Sequence, residues 1–302
     1  MRKLIHSKND FTTRDPYIIK HNNKFYHCYT EDTDSISVSC ADSIDDIGKV
    51  PGKKVYIPEK NREYSKQLWA PELHIIDGKC YIYVACDDGN NHNHRMYVLE
   101  NNSSDPMQEY VMHGKISDKT DKWAIDGTVM KYRNELYFVW SGWEGDTNIC
   151  QDIYIAKMKN PYELESDRVK ISTPEYEWEK RGSTGEPESP LINEGAYTFE
   201  INGDVYMTYS AAGSWCKDYC IAVLKLEGDD PLNPEAWVKY KNPILSGNDV
   251  VQGAGHCSVV CEEGKNHIFF HAWDKTEENI VWNTVSVWHG LLNVTGNELK
   301  IY

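Results

Sequence analysis

The chain reads as all-β, a five-bladed β-propeller, on three observations. An aromatic strand behind a short polar turn recurs five times, anchored at Tyr26, Tyr81, Tyr137, Tyr206 and Ile268, with intervals of 55, 56, 69 and 62 residues. A repeat of this length is the mark of a propeller or a similar array. Most segments are short and alternate apolar with polar residues at period two, which is the strand signal. The turns before the anchors are Asn22-Asn23, Asp77-Gly78, Arg133-Asn134, Asn202-Gly203 and Glu263-Gly264. Such pairs suit a type I′ hairpin, whose two central residues both need positive φ.

The elements follow in order. In the first repeat Tyr17-Ile18-Ile19 leads to strands over 25–30 and 36–41 and a segment near Val55. The second has strands over 73–76, 81–85 and 96–99. The third has 128–132, 136–140 and 153–158, the fourth 196–201, 205–210 and 221–226, the fifth 257–261, 267–272 and 281–288. Residues 161–167 and 231–237 are short enough for helical turns between blades. Radial blades bury the faces of each sheet and leave only short edges. The first strand of each blade lies innermost, so residues just upstream of it face a common channel.

The 302 residues are filled almost end to end by five repeats, so the reading is a single domain over 1–302. Net charge is −15. That repels polyanions, so nucleic acid and anionic membrane are not expected partners. The first ten residues hold no long apolar stretch, and nine cysteines is an odd number. Together they point to a reducing cytoplasm. Several cysteines alternate with strand hydrophobes, as in Phe25-Tyr26-His27-Cys28-Tyr29, and read as small buried apolar residues. The pairs Cys216/Cys220 and Cys257/Cys261 read as packing on one sheet face, since no zinc-type spacing accompanies them.

Asp15, Asp126, Glu194 and His256 lie 11, 11, 12 and 12 residues before their anchors. Alone, Asp15-Pro16 and Asp126-Gly127 are turn formers. Jointly they place three carboxylates around one axis. Crowded like charges raise at least one pKa, and perturbed carboxylates gather at functional sites. Paired carboxylates across a concave site suit glycoside hydrolysis, in which a protonated one donates to the leaving oxygen and an ionised one activates water.

Arg14-Asp15-Pro16, Trp69-Ala70-Pro71, Ile125-Asp126, Glu194-Gly195 and Gly255-His256, in this order along the whole chain, resemble the motif series of glycoside hydrolase family 43. The resemblance implies a five-bladed propeller that cleaves with inversion. It implies Asp15 as general base, Asp126 as the residue that tunes and positions, and Glu194 as general acid. It also implies an ion, calcium in many members, held by His256 in the central channel. Trp69 matches a sugar-stacking platform, with Glu72, Ser141, Trp143 and Trp215 as further substrate contacts. Many members carry a last-blade arginine that reaches the sugar. Here residues 269–292 contain none, so Trp282 or Trp273 takes over that contact. The run Trp69-Ala70-Pro71-Glu72-Leu73-His74 is similar to the arabinofuranosidase branches, which favours release of α-L-arabinofuranosyl residues. A β-D-xylosidase and a non-catalytic sugar-binding propeller are the alternatives.

Overall fold

The structure is a computed structural model and describes residues 1–8, 12–296 and 298–302. It is a five-bladed β-propeller. Blade one is built from Tyr17–His21, Lys24–Glu31, Ser35–Ala41 and Lys53–Tyr56, and blade two from Lys66–Ile76, Lys79–Asp87, Arg95–Asn101 and Val111–Lys115. Blade three has Ala124–Tyr132, Glu135–Gly142, Cys150–Asn160 and Val169–Ser172. Blade four has Leu191–Ile201, Asp204–Ala211, Cys220–Leu226 and Trp237–Lys239. Blade five has Val251–Glu262, Lys265–Asp274 and Ser286–Thr295, and takes Arg2–Ile5 as a further, outer strand. The innermost strands touch one another in cyclic order, the fifth against the first, which closes the ring.

Five hydrophobic clusters hold the ring, one between each pair of neighbouring blades. Leu73 and Ile82 meet Tyr17 and Val38 between blades two and one, and Phe138 and Trp140 meet Tyr83 and Met96 between three and two. Further round, Met207 and Tyr209 meet Val139 and Ile153, Ile268 and Phe270 meet Ile221 and Val223, and Ile18 and Phe25 meet Val260 and Phe269. Each sheet thus spends one face on each neighbour, and burial of each large apolar side chain stabilises by about 1.5–3 kcal/mol. Cys28, Cys80, Cys86, Cys220 and Cys257 are buried within these clusters, as their alternation predicts. Cys261, by contrast, is exposed.

All five predicted hairpin turns form with both central residues at positive φ, from Asn22 and Asn23 (49° and 59°) to Glu263 and Gly264 (50° and 72°). Two local expectations change. Of the predicted helical turns, Pro234–Ala236 forms, whereas Glu163–Leu164 pairs as a short strand with Cys150–Asn160. The inner strands also begin earlier than their alternation indicates, at Lys66, Ala124, Leu191 and Val251. In each the ladder slips at a bulge, between Trp69 and Glu72, Ile125 and Thr128, Glu194 and Tyr197, and Gln252 and Cys257. An extra residue breaks the period of two, so a periodicity reading stops at the bulge. Among the described residues no helix is long and apolar enough to cross a membrane.

Candidate active site

The bulges aim the side chains at the channel. Ala70, Asp126, Gly195 and His256 occupy the left-handed region, at φ 44°, 54°, 59° and 46°, and Asp15 does so at 46° just before its strand. Left-handed residues at bulges re-aim neighbouring side chains, and such strained non-glycine positions gather at active sites. Three of the four predicted slots therefore match in backbone as well as in spacing. Glu194 differs by one position: Gly195 takes the left-handed conformation, and Glu194 stands just ahead of it.

Asp15, Asp126, Glu194 and His256 line one cavity of about 280 Å³. Nδ1 of His256 lies 3.2 Å from Oδ1 of Asp15 and 3.9 Å from Oδ2 of Asp126. Oδ2 of Asp126 accepts the Gly195 backbone N–H at 2.9 Å, which ties it to the chain beside Glu194. The Tyr219 hydroxyl donates to Oε1 of Glu194 at 2.7 Å. Nδ1 of His271 lies 3.1 Å from the Asp15 backbone nitrogen and accepts its N–H.

The three carboxyls end in different states. Burial works to raise the pKa of Asp15. The charge and hydrogen bond of His256, with smaller contributions from its other neighbours, outweigh this and hold it well below the ordinary carboxylate range. Burial pushes Asp126 up to about 6, against the pull of His256 and with the help of the Asp15 charge. Burial, then the nearby Asp126, pushes Glu194 up to about 8, although the Tyr219 hydrogen bond opposes it. Burial would lower His256, but Asp15 and Asp126 raise it to about 10. At neutral pH the site therefore holds an ionised Asp15, a protonated Glu194 and an imidazolium between the carboxylates. Burial lowers His271, which stays neutral.

Trp69 and Trp215 line the cavity. Trp69 is backed by His94 at 4.1 Å between ring centroids, and His94 is held by Asp87 at 2.8 Å. His94 is fully buried. Trp215 is 42% exposed on the rim and anchors its indole N–H on the Gly182 carbonyl.

Glu72, Ser141 and Trp143 do not line the cavity. Glu72 follows the bulge deeper along its strand, is buried, and pairs with Nε2 of His74 at 3.0 Å. Ser141 is fully buried and donates to the Asn193 carbonyl at 2.9 Å. Trp143 stacks behind Trp123 at 4.8 Å, and it is Trp123 that faces the cavity. Of Trp273 and Trp282, Trp282 lines the cavity with the Arg14 guanidinium 4.3 Å from its ring, while Trp273 is buried. Arg14 thus brings a cation to the wall from blade one. Sequence reasoning passed over Tyr219, His271 and Trp123. Each lies outside the repeated slots, on an adjacent strand or loop, and spacing carries no signal for it.

The family model of glycosyl hydrolases family 43 matches residues 9–286. The chain belongs to glycosyl hydrolase family 43. It is 28% identical over 267 residues to an extracellular exo-α-(1→5)-L-arabinofuranosidase of Streptomyces chartreusis, covering 85% of this chain and 79% of that protein. It is 31% identical to α-L-arabinofuranosidase 43 of Humicola insolens, covering 85% of this chain but only 53% of that longer protein. The crystal structure of an α-L-arabinofuranosidase from Lactobacillus brevis superposes with a TM-score of 0.85 at 27% identity, over 98% of this chain and 95% of that one.

Proposed function

We propose that this family 43 glycosidase is an inverting, exo-acting α-L-arabinofuranosidase with Asp15 as general base, Asp126 as positioning residue and Glu194 as general acid. One observation carries the reading: a single cavity gathers Asp15, paired with His256 at 3.2 Å, and the buried Glu194 beside Asp126, an arrangement that favours the ionised form of the first and the protonated form of the second. Glycoside hydrolysis needs that pair, and in the inverting form water is deprotonated on one face of the sugar while the leaving oxygen is protonated on the other. Asp15 takes the proton of the attacking water, with His256 holding its charge. The C–O bond breaks with its electron pair on the leaving oxygen, which receives the Glu194 proton. Asp126 fixes the Gly195 amide and so the entry angle of Glu194. Trp69 and Trp215 offer aromatic faces to the sugar. The names of the relatives support arabinofuranoside over xyloside.

Calcium at His256 is part of this proposal only with water completing its shell. Calcium takes six to eight oxygens. Among the described residues no group of three or more His, Cys, Asp or Glu side chains is arranged to hold a metal ion, and the protonated His256 ring faces Asp15. The side chains alone do not fit calcium, and no step is routed through it. A reducing compartment likewise stands as a proposal, supported by nine free thiols.

The test compares α-L-arabinofuranosides with β-D-xylosides. The arabinofuranosides are expected to turn over faster, with β-arabinose as first product. Asp15→Asn and Glu194→Ala are each expected to lose roughly 10²–10⁴-fold on an arabinobiose. Faster xyloside cleavage would reverse the substrate choice. Binding of arabinose without hydrolysis of either substrate would make the protein a sugar-binding propeller.

A further inference from the structure

The acid is not held by its own strand alone. Tyr219, almost fully buried at 1% exposure, reaches Oε1 of Glu194 from the loop before Cys220–Leu226. Three features fix its ring. A Cβ on Gly255 would collide with it, so the bare backbone of blade five forms its seat. The His271 ring lies nearly parallel to it, 5.8 Å away at 14°. Ser210, whose Oγ accepts the His256 backbone N–H at 2.7 Å, also interacts with the Tyr219 hydroxyl. His271 in turn holds the Asp15 backbone N–H. One pair of facing rings therefore connects the residue that holds the base to the residue that holds the acid.

We propose that Tyr219 is a positioning residue for proton delivery: its hydroxyl occupies Oε1 of Glu194 and leaves Oε2 as the oxygen that carries and donates the proton. A protonated carboxyl has one O–H and one acceptor oxygen. With the phenol donating to Oε1, the proton belongs on Oε2. When the glycosidic C–O bond breaks, its electron pair stays on the leaving oxygen, which takes the Oε2 proton. Glu194 becomes a carboxylate, and the Tyr219 bond becomes charge-assisted and roughly twice as strong. The interaction thus grows along the reaction coordinate, which is the requirement for a contribution to kcat. The stack on His271 keeps this geometry registered to Asp15.

The inference rests on Glu194 being the acid, and the test separates the two. Tyr219→Phe keeps the ring, its seat on Gly255 and its stack, and removes only the O–H. It is assayed beside Glu194→Ala on α-1,5-linked arabinobiose, whose sugar leaving group needs a proton. Both are also assayed on p-nitrophenyl α-L-arabinofuranoside, whose leaving anion is stable without one. Tyr219→Phe is expected to lower kcat on the disaccharide by about 10- to 100-fold, less than the roughly 10²–10³-fold for a donor that touches the reacting atoms, since Tyr219 acts through Glu194. Its loss on the aryl substrate is expected to be at least about tenfold smaller. The alkaline limb of its pH profile should move to higher pH, as loss of the donor leaves the carboxylate less stabilised. A leaving-group pattern in Glu194→Ala without one in Tyr219→Phe overturns this proposal alone. Equal losses on both substrates in Glu194→Ala overturn the acid assignment, and this proposal with it.

Discussion

Asp15, Asp126 and Glu194 carry the same functional group and hold their protons with very different strength. The difference is environmental: His256 lies against Asp15, while burial and like charge act on Glu194. Activity is therefore expected to fall on the alkaline side as Glu194 ionises, with a limb near the value of about 8 to which it is raised. The same shift sets a stability effect. A carboxyl with a raised folded-state pKa binds its proton more tightly when folded, so stability falls as pH rises from the ordinary carboxylate range through about 8. Glu194→Gln removes the buried charge. Its melting temperature is expected to match wild type near pH 5 and to exceed it by a few degrees at pH 9, while activity is lost. A melting difference independent of pH would contradict the assignment. The acidic residues themselves were legible from spacing. Their proton affinities were not, because these depend on partners hundreds of positions away in the chain, such as His271 for Asp15.

At the scale of the element, two backbone devices recur, and they were not equally readable. The hairpin turns announce themselves through Asn, Asp and Gly, residues that tolerate positive φ. Gly203 has φ 86° with open space around it, so a methyl group there meets no neighbour and only backbone strain opposes it. Gly203→Ala is expected to cost roughly 1 kcal/mol in urea unfolding and to leave kcat unchanged. A neutral result would mean that the turn relaxes. The bulges of the inner strands are less uniform: Asp126 and Gly195 are residues that tolerate positive φ, whereas Ala70 gives no such local signal. Ala70 is a poor candidate for a left-handed backbone on local grounds, and His256, though of a type found there more often, is not marked out by its neighbours as a turn residue. They adopt it because sheet pairing on both sides of the bulge over-determines the chain between. Trp143 and Ser141 illustrate the consequence. Both lie near the end of a strand beside the site, yet face the neighbouring blade and the Asn193 carbonyl, since sheet twist and bulges decide which end of a strand looks inward.

For the molecule as a whole, closure of the ring is the decisive event. The last blade borrows Arg2–Ile5 from the other end of the chain, with Lys3 opposite Trp288 and Ile5 opposite Val287. Ile5 then packs with Val287, Phe269 and Phe25, between blades five and one. Deleting residues 1–5 removes this buried side chain and a row of ladder bonds. The loss is expected to be about 3 kcal/mol or more, read as a lower melting temperature, and activity should fail at temperatures where wild type persists. Wild-type stability after truncation would show that the ring closes without the clasp. Sequence patterning did not expose this strand, because Arg2–Ile5 is too short to show a period of its own.

What the sequence by itself determined is local and repetitive: the repeated blade motif, its hairpins, the alternating strands that bury one face against each neighbour, and the acidic residues set 11 or 12 positions before three of the anchors. Those features depend on residues within a dozen positions of one another. Only the tertiary structure decided which side chains face the cavity, how far each carboxyl holds its proton, and that Tyr219 and His271 join the acid to the base. These depend on burial and on contacts between blades, and burial exists only once the ring has closed.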